Sequence, residues 1–268
     1  MKKIGLCLGG GGARGICHIE FLKVLDEFDL KPVMISGSSI GAIIGSFYAS
    51  GLTGRDIEAI LDDLSIRDIP KMLDFSFLNF NSLVKGKGVE KFLKKQLPVT
   101  RFSELKIPIK IVATDYWKEE LVVFDQGDLI KAIRASISIP AIFEPVVIDG
   151  RVLIDGGVTN NLPYDLLLPE CNFLIAIDAS GFTSEPDKPK IPNWFDSVMN
   201  TFTILQNSIL SYQMKNRRPD IYIKPQIKDI GLLEFDKVST IIELVQDDVI
   251  KFRQELQEKL KLKTSQNQ

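Results

Sequence analysis

Hydrophobic positions along the chain switch repeatedly between a period of two and a period near 3.6. Ile4, Leu6 and Leu8 alternate and predict a strand ending in the run Gly9 to Gly12. Ile16, Ile19, Leu22 and Leu25 then recur at helical spacing. "PVMIS" predicts a second strand, with a helix opening near Ser39 and further helices around 54–64 and 88–97. "IKIVAT", "ELVVF" and "FLIAIDAS" read as strands, and "LIKAIRASI" as a helix stopped by Pro140. "VVIDGRVLIDGG" predicts a hairpin turning on Asp149-Gly150. Towards the end come a long apolar-striped helix from Trp194 to Lys215, a strand in "DIYIKP", and a charged amphipathic helix from about Val238 to Lys261.

Strands alternating with helices predict an α/β fold: a three-layer sandwich in which a central, mostly parallel sheet carries helices on both faces. No repeat or composition break divides the chain, so residues 1–262 are expected to form one domain and 263–268 a disordered tail. In such sheets ligands bind at the carboxyl ends of the strands. The glycine run and Ser39 both fall there.

Composition narrows the chemistry. A net charge of −2 leaves no electrostatic footprint for nucleic acid. The cysteines, Cys7, Cys17 and Cys171, are odd in number and suit neither a disulfide framework nor a zinc site, so a reducing, cytoplasmic setting is expected. With one histidine and no calcium-loop spacing, no metal or other cofactor is expected. Glycines break the N-terminal apolar run too early for a signal peptide. The longest apolar stretch, Ile40 to Ala49, is far below the ~20 residues of a membrane span. Peripheral contact with a membrane stays open, as does oligomeric state.

Two motifs carry the candidate chemistry. In "LGGGGARGICH", Gly10, Gly12 and Gly15 fit a dinucleotide fingerprint, but the second strand ends in Ser36-Gly37 with no acid for a ribose. The alternative use of the run is an oxyanion hole, in which glycines let backbone N–H groups approach developing negative charge. Arg14 is either a brace or positive charge for that loop, or a surface ion pair. "GSSIG" places Ser39 between Gly37 and Gly41 in the G-x-S-x-G pattern of a nucleophile on a strand-to-helix turn. Its proton acceptor has two candidates. His18 lies one turn into the helix after the glycines, where a buried, hydrogen-bonded role is the plainer reading. Asp155 closes the apolar run Val152-Leu153-Ile154 and is followed by Gly156 and Gly157. Aspartate starts as the weaker base by ~2.6 pKa units, a gap that a dry site narrows.

"GGGARG", "GSSIGA", "AIRASISIPAIFEPV" and "DGG", in that order from about Ile4 to Tyr164, resemble the patatin-like phospholipases. Among these, the bacterial stand-alone members and the catalytic domain of neuropathy target esterase are the most similar. The resemblance implies a sandwich hydrolase that cleaves acyl esters of phospholipids, lysophospholipids or neutral lipids without calcium. Carried over by position, it implies Ser39 as nucleophile, Asp155 as proton acceptor, and Gly10, Gly11 and Gly12 as the oxyanion loop. Arg14, Gly15, Gly37, Gly41, Gly156 and Gly157 fall in the supporting motifs. Phe75, Phe77, Leu78, Phe80 and Leu83, beside a lysine-rich stretch, form either a buried connector or a lipid-facing flap.

Overall fold

The computed structural model describes residues 2–62, 84–182 and 191–262. The apolar segment from Phe75 to Leu83 and the tail 263–268 lie outside them. In chain order the elements are β1 (Ile4–Leu8), α1 (His18–Glu27), β2 (Met34–Ser38), α2 (Ile40–Ala49), α3 (Gly54–Asp62) and α4 (Lys87–Gln96). They continue with β3 (Ile109–Asp115), β4 (Glu120–Phe124), α5 (Leu129–Ser136), β5 (Val146–Ile148), β6 (Arg151–Asp155) and β7 (Phe173–Ile177). The last are α6 (Trp194–Asn216), β8 (Ile221–Ile223), α7 (Val238–Leu244) and α8 (Gln246–Leu260).

β3, β2, β1, β7 and β8 run parallel in that spatial order, β4 and β6 pair antiparallel with β3, and β5 pairs antiparallel with β6. The period-two pattern explains the layering. Ile4, Leu6 and Leu8 of β1 and Phe173, Ile175 and Ile177 of β7 enter the large core under α1, α2, α5 and α8. Their neighbours Cys7, Leu174 and Ala176 face the other way, onto Leu162, Tyr164, Leu167 and Leu210 of α6. The sheet is thus covered on both faces, as an α/β sandwich requires.

Local signals account for most boundaries. The Asp128 side chain accepts from the Lys131 N–H at 2.9 Å and caps α5. Asp149 and Gly150 both have positive φ, 49° and 77°, as a two-residue hairpin turn demands. Two expectations change. The helix after the glycine run begins as a 3₁₀ turn over Gly12–Cys17 and becomes α-helical only at His18. The amphipathic helix expected from Val238 to Lys261 breaks at the buried Val245. Asp247 and Asp248 place negative charge in the first turn of α8, and Asp248 accepts from the Gln226 N–H at 2.8 Å. That is the chemistry of a helix start, not of a helix middle.

We propose that residues 1–262 unfold as one unit, and α8 tests it. Phe252 is fully buried and meets Phe21 of α1 edge-to-face at 5.4 Å. Phe252→Ala is expected to cost about 3–4 kcal/mol in guanidinium unfolding while leaving a single transition. A separate early transition for α8 would contradict a single domain.

Candidate active site

The site begins with a register. Val112 of β3 pairs with Ser38 of β2 on one side and Val123 of β4 on the other. The next residue, Ala113, pairs with Asp155 of β6 and Val122 of β4. β2 and β6 therefore lie end to end along one edge of β3, and because they run in opposite directions their carboxyl ends meet. Ser39 and Asp155 stand on either side of that junction.

Ser39 occupies φ 52°, ψ −124°, a conformation costly for any residue with a Cβ. Its N–H donates to Ser136 Oγ at 2.9 Å, which holds the turn. Gly41 has no room for a side chain, since its Cα faces the backbone carbonyls of Leu8 and Gly9. This close approach draws the β2–α2 turn against the end of β1. Gly15, Gly37 and Gly156 are similarly enclosed, by Ile40, by Gly41 and Ala42, and by Val112.

The glycine run passes directly beside the serine. Gly10 donates its N–H to the Asn161 carbonyl at 3.1 Å and receives the Asn161 amide on its own carbonyl at 3.2 Å. Among the described residues the N–H groups of Gly11 and Gly12 have no hydrogen-bond partner, whereas that of Gly10 is engaged. Gly12 has φ +57°, which turns the chain at the cavity wall. Arg14 is almost buried and donates from Nε to the Gly11 carbonyl at 3.2 Å, so it braces the loop. His18 is fully buried, and its Nε2 donates to the Gly9 carbonyl at 2.8 Å. Burial lowers its pKa to about 4, so it is neutral and holds the loop from behind. The Ala13 N–H, at the start of the turn, is taken by the Leu232 carbonyl at 2.8 Å. A dinucleotide pyrophosphate would need that donor.

Asp155 is pinned at the backbone. Its N–H donates to the Ser138 carbonyl at 2.9 Å, and its carbonyl accepts from Thr114 Oγ1 at 3.0 Å. The carboxylate is 5% exposed, and Oδ1 accepts from the Gly157 N–H at 2.7 Å. Oδ2 is buried and meets no donor in full hydrogen-bond geometry. Burial raises the pKa to about 7, while the Gly157 N–H and the neighbouring Ser39 hydroxyl pull it down. Loss of water outweighs both, so the carboxyl titrates where a general base works best.

A cavity of about 720 Å³ opens in front of these groups. Gly11, Gly12, Arg14, Ser39 and Asp155 line it, and α6 adds the apolar side chains of Phe195, Met199 and Phe202. Its volume is that of a ligand pocket, and its lining mixes apolar and polar side chains, Asn200, Thr203 and Gln206 of α6 among the latter. Sequence reasoning missed three members. Ser136 sits inside a quoted motif and Asn161 four residues past the last one, and neither carries a signal of its own. Gln206 of α6 donates to the Gly157 carbonyl at 3.0 Å and has no local signal at all. Among the described residues no group of three or more His, Cys, Asp and Glu gathers, and no helix is long and apolar enough to cross a membrane.

The family model for patatin-like phospholipases matches residues 6–168. An uncharacterized NTE family protein of Mycobacterium bovis is 31% identical over 76% of this chain and 57% of its own length. Lysophospholipase NTE1 of Candida glabrata is 26% identical over 97% of this chain, but over only 16% of its own length. The chain thus spans little more than half of the first relative and a small part of the second. The crystal structure of VipD from Legionella pneumophila superposes with a TM-score of 0.57 at 14% identity, covering 94% of this chain and 66% of that one. The chain belongs to the patatin-like phospholipase family. The matched region contains every candidate residue from Gly10 to Gly157, whereas α6 lies beyond it.

Two measurements test this geometry. Asp155 has a folded pKa near 7 against 3.8 when free, so the folded state holds its proton longer than the unfolded chain does. The carboxyl therefore weighs against folding increasingly as pH rises from about 4 to about 7. Asp155→Asn is expected to gain stability over the parent by up to about 4 kcal/mol at pH 8, the gain shrinking towards pH 4, in denaturant titrations. Gln206→Leu is expected to lower kcat about tenfold and shift its acid-side pKa, by freeing Gly157 and with it the carboxylate. An unchanged pH profile would leave Gln206 a purely structural contact.

Proposed function

We propose that this protein is a serine acyl hydrolase that cleaves carboxylic ester bonds of phospholipids or lysophospholipids through a Ser39–Asp155 dyad. The observation that carries the reading is a desolvated carboxyl beside a strained serine, lining one cavity with Gly11 and Gly12, whose N–H groups have no hydrogen-bond partner among the described residues. In the proposed first step Ser39 Oγ attacks the ester carbonyl and its proton passes to Asp155 Oδ2. The carbonyl oxygen takes up negative charge between the Gly11 and Gly12 N–H groups, where such donors are worth about 3–4 kcal/mol each. Collapse breaks the bond to the alcohol oxygen, which takes the proton from Asp155. Water then attacks the acyl-enzyme, with Asp155 again accepting and returning a proton.

Membership of the family and the similarity to lysophospholipases support a lipid ester as substrate. The apolar wall from α6 supports an acyl chain as the group bound beside Ser39. The free, buried cysteines support a reducing, cytoplasmic setting.

Ser39→Ala and Asp155→Asn are each expected to lower hydrolysis of lysophospholipid by about a thousandfold or more, with circular dichroism unchanged. His18→Asn should keep activity within about tenfold, any loss following stability. kcat/KM should fall as pH drops below about 7, because Asp155 then holds its proton. A folded His18→Asn as inactive as Ser39→Ala, with Asp155→Asn still turning over, would sink the dyad.

A further inference from the structure

α6 has two unlike faces. Phe195, Met199 and Phe202 line the cavity, and Leu210 packs under the sheet. Trp194, Val198, Leu205, Ile209 and Tyr212 point elsewhere and are exposed by 73%, 39%, 55%, 36% and 68%. Their spacings of four, seven, four and three residues keep all five within ~60° around the helix axis, along ~27 Å of its length. Between Asp196 and Lys215 the helix carries no charged residue. A helix that presents such a face to water alone would carry charge there. At the C-terminal end stand Lys215, Arg217 and Arg218, all exposed and none in an ion pair among the described residues.

The two tryptophans of the chain add an independent observation. Trp194 starts α6, and Trp117, exposed by 75%, tips the hairpin between β3 and β4 beside Tyr116. Both leave the carboxyl edge of the sheet, where Ser39 stands. Tryptophan and tyrosine with an apolar body and a polar tip suit the boundary between lipid headgroups and acyl chains.

We propose that the outer face of α6 docks the protein on a lipid surface, with Trp194, Val198, Leu205, Ile209 and Tyr212 entering the headgroup boundary and the basic C-terminal end meeting lipid phosphates. The choice of occupant rests on the lipid-hydrolase reading: the helix that touches the membrane is the one whose other face walls the cavity, so a lipid leaving the surface passes directly along it. A second copy of the chain would bury the same stripe, but would offer Lys215, Arg217 and Arg218 no row of phosphates.

The test separates docking from chemistry. Ser39→Ala protein is mixed with vesicles of equimolar phosphatidylcholine and phosphatidylglycerol and sedimented. It is expected to pellet with them, and in the Trp117→Phe background the emission of Trp194 should move to the blue. Leu205→Asp with Ile209→Asp should weaken vesicle partitioning by at least about tenfold. In the Ser39 chain, the same pair should leave hydrolysis of a soluble short-chain ester within about twofold of the parent. Unchanged vesicle binding by the double variant overturns the proposal. So does a parent that is dimeric in sedimentation equilibrium, is split by the double variant and ignores vesicles, since the stripe is then a contact between copies. Vesicle binding without turnover of any ester, soluble or lipid, would instead remove the hydrolase reading and leave the docking face standing.

Discussion

The whole site depends on one edge of β3. That edge accepts β2 along its first half and β6, in the opposite direction, along its second. Only where the two strands collide can a residue just past the end of one stand beside the last residue of the other. Ladder hydrogen bonds fix both backbones, so the spacing of serine and carboxylate is set by sheet geometry and not by flexible loops. The glycines serve the same end. They remove side chains where the β2–α2 turn presses on β1, where the first loop passes the serine, and where the segment after Asp155 crosses β3.

Burial does two opposed things at this junction. It raises the affinity of Asp155 for a proton, which makes the carboxylate a competent base. It also lowers the proton affinity of His18, which keeps the imidazole neutral and fixed on the Gly9 carbonyl. The same exclusion of water brings two groups that differ widely in solution towards, and then past, each other in basicity. The carboxylate ends as the stronger base of the pair, and the histidine becomes a strut. Arg14, which lines the same cavity, is turned onto the Gly11 carbonyl, and its charge is not among the influences on Asp155.

Much of this was legible in the sequence, for a local reason. Glycine, serine and aspartate at fixed spacings record contacts between neighbouring backbones, and such contacts leave little choice of residue. Period-two and period-3.6 patterns likewise recorded which face of each strand and helix is buried. What stayed hidden was long-range or had no preferred residue type. Nothing about Gln206 in "ILQNS" indicates that it will reach the loop after Asp155. The engagement of the Gly10 N–H by Asn161 could not be read from four equivalent glycines. The break at Val245 was masked by an apolar pattern that continues in phase across it, and only the paired aspartates that follow mark a new helix start.

The Gly10–Asn161 and Ala13–Leu232 hydrogen bonds have a consequence in time as well as space. Each ties the first loop of the chain to a residue far along it, and Gln206 adds a third late contact. Translation proceeds from the N-terminus, so the serine turn and its glycine loop leave the ribosome long before their partners exist. A nascent chain ending before Leu232 lacks the carbonyl that takes the Ala13 N–H, and one ending before Trp194 lacks α6 and its Gln206 contact as well. The first loop therefore reaches its final hydrogen bonding only after these later segments have been made.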